Sequence, residues 1–79
     1  MGKRLGDSLA EKDYIKIFSA RLKEIRNEAN LSRIEVAERL GIALSTYGNW
    51  EQGRRTPSVG EIYKLLEVFE IDANELFDI

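Results

Sequence analysis

The stretch from Arg33 to Gln52, R-I-E-V-A-E-R-L-G-I-A-L-S-T-Y-G-N-W-E-Q, constrains the fold more than any other part of the chain. Val36, Ala37, Leu40, Gly41, Ile42, Tyr47 and Trp50 fall at the spacings that two short helices need to pack across a tight turn. Ala37 stands at the point of closest approach, where a larger side chain would push the helices apart. Gly41 lets the chain reverse in the left-handed conformation without a Cβ clash. The remaining apolar residues fill the wedge. An ordinary helical hairpin would satisfy the same spacing, so the flanks have to decide between the two.

The flanks are helical as well. Phe18, Leu22, Ile25 and Ala29 repeat on one helical face. This first helix starts at Leu9 or around Tyr14 and ends near Ala29, with Asn30 as a left-handed cap. The second runs from about Arg33 to Leu40. The third covers about Leu44 to Glu51 and stops near Gly53. A fourth follows Pro57 and Ser58 and is expected to bury Val59, Ile62, Leu65, Leu66 and Phe69. A short fifth after Asp72 carries Leu76 and Phe77. Ser8 with Glu11, Ser32 with Glu35, Ser58 with Glu61, and Asp72 with Glu75 each place a cap residue three positions before a glutamate. In such a box the cap oxygen accepts from an orphan N–H and the glutamate reaches back. No stretch alternates apolar and polar residues as a strand does. The expectation is an all-α, compact five-helix bundle with short connections. Residues 14–79 form the domain, its helix-turn-helix at 33–52. Residues 1–13 are an arm or an extension of the first helix.

Seventy-nine residues make one domain. A chain of this size buries only about 60–65% of its unfolded surface. It has no cysteine and no histidine, so stability has to come from helix packing and caps. Structural zinc and thiol chemistry are excluded by the same absence. There is no paired-carboxylate or phosphate-loop constellation, which argues against an enzyme. No cofactor and no small-molecule substrate are implied. No apolar run approaches the roughly 20 residues of a membrane span. The basic start lacks an apolar stretch behind it, and a cytoplasmic location is expected.

The net charge of −2 counts mildly against a nucleic-acid partner, but its distribution matters more. Residues 57–79 hold Lys64 alone against Glu61, Glu67, Glu70, Asp72, Glu75 and Asp78. Residues 33–56 hold Arg33, Arg39, Arg54 and Arg55 against Glu35, Glu38 and Glu51. The acidity gathers at the C-terminal end, and the motif is slightly positive.

From Phe18 to Phe77 the chain resembles the cro/C1-type, or XRE-like, helix-turn-helix family of lambda- and 434-repressor-like DNA-binding domains. The words that carry the resemblance are "RLKEIRNEANLS", "VAERLGI", "STYGNWEQGRRTPS" and "IYKLLEVFEIDANELF". It implies sequence-specific binding of double-stranded DNA by a transcriptional regulator, typically a repressor. Such a regulator works as a dimer on a near-palindromic operator, with the recognition helix, about residues 44–51, in the major groove. By this resemblance Ala43, Leu44, Ser45 and Asn49 face base edges, with Asn49 suited to adenine and Leu44 and Ala43 to thymine methyls. Ser32, Arg33, Thr46, Arg54, Arg55 and Ser58 are expected at phosphates. Arg26 and Glu51 match positions that pair as a partly buried ion pair. Trp50 is expected in the core, as is the ring of Tyr47, whose hydroxyl could reach a phosphate. Arg33 stands where the family usually has glutamine, and the Ala43–Leu44 pair replaces polar residues. These departures, with the net acidity, motivate a second reading: a protein-interaction module or antitoxin-like partner built on the same fold. The apolar tail is a candidate homodimer interface through Phe69, Leu76, Phe77 and Ile79. Gly48, inside the third helix, costs about 1 kcal/mol relative to alanine and is expected to be merely tolerated.

Overall fold

The computed structural model describes residues 10–79. Five helices follow one another: α1 (Glu11–Glu28), α2 (Arg33–Leu40), α3 (Leu44–Glu51), α4 (Val59–Phe69) and α5 (Ala73–Phe77). Glu11, Lys12 and Asp13 are the first turn of α1. Ser8 and Leu9, considered above as a cap and a helix start, lie outside the described residues. The N-cap of α1 is Ala10, which has no side-chain acceptor. Asp13 supplies half a box instead, its carboxylate accepting from the Ala10 backbone N–H at 3.0 Å.

Ser32 and Ser58 open α2 and α4 as full capping boxes. Each hydroxyl accepts from the glutamate N–H three residues on, and each glutamate accepts from the serine N–H. Asp72 caps α5 by accepting from the Glu75 N–H at 2.9 Å. At the other ends, Gly41 closes α2 at φ +72° and Asn30 follows α1 at φ +57°. Glu70 and Asp78 take the same left-handed conformation with a full side chain at φ +55° and +57°. Aspartate tolerates that conformation better than most residues, but Glu70 does not announce such a cap.

The core is built from one stripe of each helix. Phe18, Leu22 and Ile25 of α1 meet Val36, Ala37 and Leu40 of α2, Tyr47 and Trp50 of α3, Leu65 of α4 and Leu76 of α5. Helix α2 packs on α3 and α4, and α1 packs on α3 and α5. Ile42 lies partly buried against this cluster, as do Ile62, Leu66, Phe69 and Phe77. Two apolar residues assigned to it from periodicity are not in it. Val59 is 71% exposed because it is the first residue of α4, and its Cβ tilts toward the helix start, beyond the packed stripe. Ala29 is exposed because it is the C-cap of α1, past the last helical turn.

Leu76 needs a larger correction. It has no exposed surface and is core, so it cannot reach a second protomer. The short α5 folds back under α1, with the Phe18 and Phe77 rings 5.7 Å apart and the Arg21 guanidinium donating to the Glu75 carbonyl at 2.8 Å. That return buries Leu76.

Candidate nucleic-acid interface

The α2–α3 angle is held from behind by Glu51. Its carboxylate is fully buried, at the last turn of α3. Arg26 of α1 donates to it twice, Nε to Oε2 at 2.6 Å and Nη2 to Oε1 at 3.1 Å. This two-point fork matches guanidinium to carboxylate geometry. The Tyr47 hydroxyl donates to Oε2 at 2.5 Å, and Arg33 Nε donates to Oε1 at 3.1 Å. Burial pushes the Glu51 carboxyl up, but the Arg26 fork, with Tyr47 and Arg33, outweighs it and holds the group below the usual carboxylate range. The Tyr47 hydroxyl is pushed well above the usual phenol value, first by burial and then by its hydrogen bond to the Glu51 carboxylate. Arg26 Nη1 also donates to the Leu31 carbonyl at 3.0 Å, tying the same side chain to the α1–α2 turn. On the other side, the Ser19 hydroxyl donates to the Trp50 carbonyl at 2.7 Å and joins α1 to α3.

Two expected roles change here. The Tyr47 side chain is fully buried and its hydroxyl is committed to Glu51, so it does not reach a phosphate. Arg33 is a partner of the buried carboxylate as well as a surface cation. Its side chain stays 41% exposed. One carboxylate serves two arginines, so the cluster carries net positive charge at the start of α2, where the helix dipole also favours anions.

In front of this cluster lies a concave surface between the start of α2 and the outer face of α3. Ser32, Arg33, Leu44, Ser45, Asn49 and Arg54 line it, joined by Ile34, Gly48 and Gln52. Leu44 and Ser45 are exposed and Asn49 is half-buried, one turn on from Ser45. Ala43 is the exposed N-cap of α3 and makes no side-chain cap bond. Thr46 is half-buried on the same helix, outside the concavity. Past α3, the backbone N–H groups of Arg54 and Arg55 both donate to the Asn49 carbonyl, at 2.9 and 3.3 Å. That turn, with Gly53 at φ +74°, leaves both arginine side chains exposed. The Ser32 and Ser58 hydroxyls are occupied as caps. Ser58 and Arg55 lie outside the concave surface itself.

Sequence reasoning passes over Ile34, Gly48 and Gln52 as lining residues. The signal for Ile34 is that it falls off the Val36–Leu40 stripe, so an apolar side chain there has no core to enter. It is 56% exposed.

A short helix set by a glycine turn against a capped partner, its outer face carrying Ser45 and Asn49 beside the exposed Leu44 and sharing a concave surface with Arg33 and Arg54, defines a DNA-binding helix-turn-helix of the kind transcriptional regulators carry. Comparison with known proteins agrees: the helix-turn-helix family pattern matches residues 22–76, and the chain belongs to that family. It is 41% identical over 56 residues to the HTH-type transcriptional regulator AnsR of Bacillus subtilis, covering 71% of this chain and 48% of that protein. It is 30% identical over 60 residues to the cryptic phage CTXphi transcriptional repressor RstR of Vibrio cholerae, covering 76% of this chain and 54% of that protein. The chain thus spans about half the length of these two relatives. Among solved structures it resembles the restriction-modification controller protein C.AhdI of Aeromonas hydrophila. The TM-score is 0.74 at 34% identity, over 78% of this chain and 94% of that one. These relatives are named as regulators rather than enzymes, in keeping with the non-enzymatic reading of the residues. No helix among the described residues is long and apolar enough to cross a membrane.

Proposed function

We propose that this chain binds double-stranded DNA sequence-specifically, as the DNA-reading part of a cytoplasmic transcriptional repressor, with α3 in the major groove. The observation that carries the reading is the concave surface that Ser45, Asn49 and Leu44 share with Arg33 and Arg54. Base-edge groups and cations on one surface suit a groove bordered by two phosphate strands. Asn49 offers a donor and an acceptor to adenine, and Ser45 can serve either way. Ala43 extends the apolar edge beside Leu44. Arg33, Arg54 and Arg55 meet phosphates, with Thr46 and the backbone N–H groups behind Ser32 and Ser58 as neutral partners. The repressor RstR among the relatives supports the direction of regulation.

The chain works as a homodimer on a near-palindromic operator in this reading. Ile79 is 78% exposed, and Phe69 and Phe77 are half-buried, which leaves apolar surface at the α4–α5 end for a partner copy.

The test is a gel mobility shift across a salt series, with Arg54→Ala/Arg55→Ala beside the parent. The double variant should bind all duplexes more weakly, and its log-affinity against log-salt slope should be shallower by about 1 for each phosphate no longer neutralised. A full palindrome should bind more tightly than a half-site if two copies bind together. An unchanged salt slope would overturn the docking mode. No shift of random duplex at micromolar protein and low salt would overturn DNA binding in favour of a protein partner.

A further inference from the structure

The charges of α1 are sorted by side. Lys12, Lys16 and Lys23 are all exposed, and at 3.6 residues per turn they fall within about 40° of one another around the helix. Asp13, Glu24 and Glu28 fall about 60–120° beyond Lys16, on the side of Arg21, which pairs with Glu24. Just past Lys12 on the opposite flank come Ser19 and Arg26, which bond the Trp50 carbonyl and the Glu51 carboxylate at the end of α3. Gly53 stands so close that a Cβ there would lie 3.4 Å from the Ser19 hydroxyl oxygen and 3.8 Å from Ile15 Cγ2. The lysine column therefore borders the turn that leads into Arg54 and Arg55, and both Arg26 and Arg54 line the concave surface. Locally the arrangement works against the helix. Lys12 stands in the first turn of α1, at the end of the dipole that disfavours a cation. Lys12 and Lys16 are four residues apart, a like-charge spacing that destabilises a helix. Among the described residues no carboxylate forms an ion pair with any of the three.

Resting on the DNA-binding reading above, we propose that Lys12, Lys16 and Lys23 form a phosphate track along α1, separate from the cations of the concave surface. Its partner is DNA backbone flanking the bases that α3 reads. From Lys12 to Lys23 the column spans about 16 Å at 1.5 Å per residue. That is the axial length of about five phosphates of one strand at 3.4 Å each. Phosphates carry no sequence information, so the track adds affinity equally on every duplex and lengthens the site beyond the bases read.

The test uses Lys12→Gln/Lys16→Gln/Lys23→Gln, which alters only exposed side chains. The triple variant should unfold at the same or a higher temperature than the parent, because the charges it loses are locally unfavourable. Its log-affinity against log-salt slope should be shallower by about 2–3, on random duplex and on a duplex enriched from a random pool alike. Lys64→Gln removes one like charge from the exposed face of α4 and should leave the slope unchanged. Replacing single phosphates of the enriched duplex by neutral methylphosphonates should reveal flanking positions that weaken the parent and not the triple variant. An unchanged slope in the triple variant, beside a flattened one in Arg54→Ala/Arg55→Ala, would overturn the track and leave DNA binding intact. An equal flattening per charge in Lys64→Gln would overturn it too, marking a response to net charge rather than to place. Weaker self-association in the triple variant with an unchanged slope would assign the column to the acidic end of a second copy instead. Failure of the parent to bind any duplex would overturn both the track and the DNA-binding reading.

Discussion

Glu51 accepts four hydrogen bonds from three side chains, and the largest single effect of a substitution is expected at its main partner. Removing Arg26 would leave a buried carboxylate with only Tyr47 and the half-exposed Arg33. Arg26→Ala should cost about 3–5 kcal/mol, measured by urea unfolding at neutral pH. Arg26→Lys should recover only part of that, since an ammonium cannot reproduce the two-point fork. Arg33 differs because its guanidinium reaches both the buried carboxylate and the surface. That hydrogen bond to Glu51 ties a cation to the concave surface at a position where the family usually has glutamine.

At the scale of the helix, the starts are better served than the ends. Serine boxes open α2 and α4, whereas α4 ends on Glu70 in the left-handed region, where an L side chain is disfavoured by about 1–2 kcal/mol. Glu70→Gly relieves that conformation at some cost in unfolded-chain entropy. It should stabilise the protein by about 0.5–1 kcal/mol and raise the unfolding midpoint by several degrees. A lowered midpoint in calorimetry would show that the Glu70 side chain is worth more than its backbone conformation costs. The ends also explain where periodicity misled. Val59 and Ala29 continue their stripes in sequence, but each lies at a helix terminus, where the neighbouring helix no longer covers it.

The whole molecule answers to pH through the same buried cluster. Glu51 sits below its ordinary value of 4.5 when folded, so its stabilisation is complete above that value and is lost as pH falls through the folded value. Tyr47 sits above its ordinary value of 10.0, so the fold is favoured below pH 10 and loses ground as pH rises beyond it and the unfolded phenol ionises. With no histidine in the chain, no side chain titrates in between at its ordinary value. Stability against urea should therefore be flat from about pH 5 to pH 9 and fall on both sides. A sloping plateau between those limits would mean that other groups govern the pH response.

Helix number, order and approximate bounds were legible in the chain because they depend on local chemistry: caps, left-handed stops and the 3.6-residue stripe act over a few residues. Gly41, Ser32 and Ser58 do in the structure what their positions announce. The ion-pair partners Arg26 and Glu51 were legible only through resemblance, since nothing local joins residues 25 positions apart. Tertiary structure alone decided what depends on distance through space. The return of α5 against α1 buried Leu76 and removed it from the surface. The depth of the α2–α3 wedge turned the Tyr47 hydroxyl inward to Glu51 and drew Arg33 to the same carboxylate. The concave surface that Arg33 and Ile34 share with Leu44, Ser45 and Asn49 exists only once two helices meet. A sequence read along its length specifies which faces are apolar. Which of those faces stays uncovered is settled by the packing of the other helices.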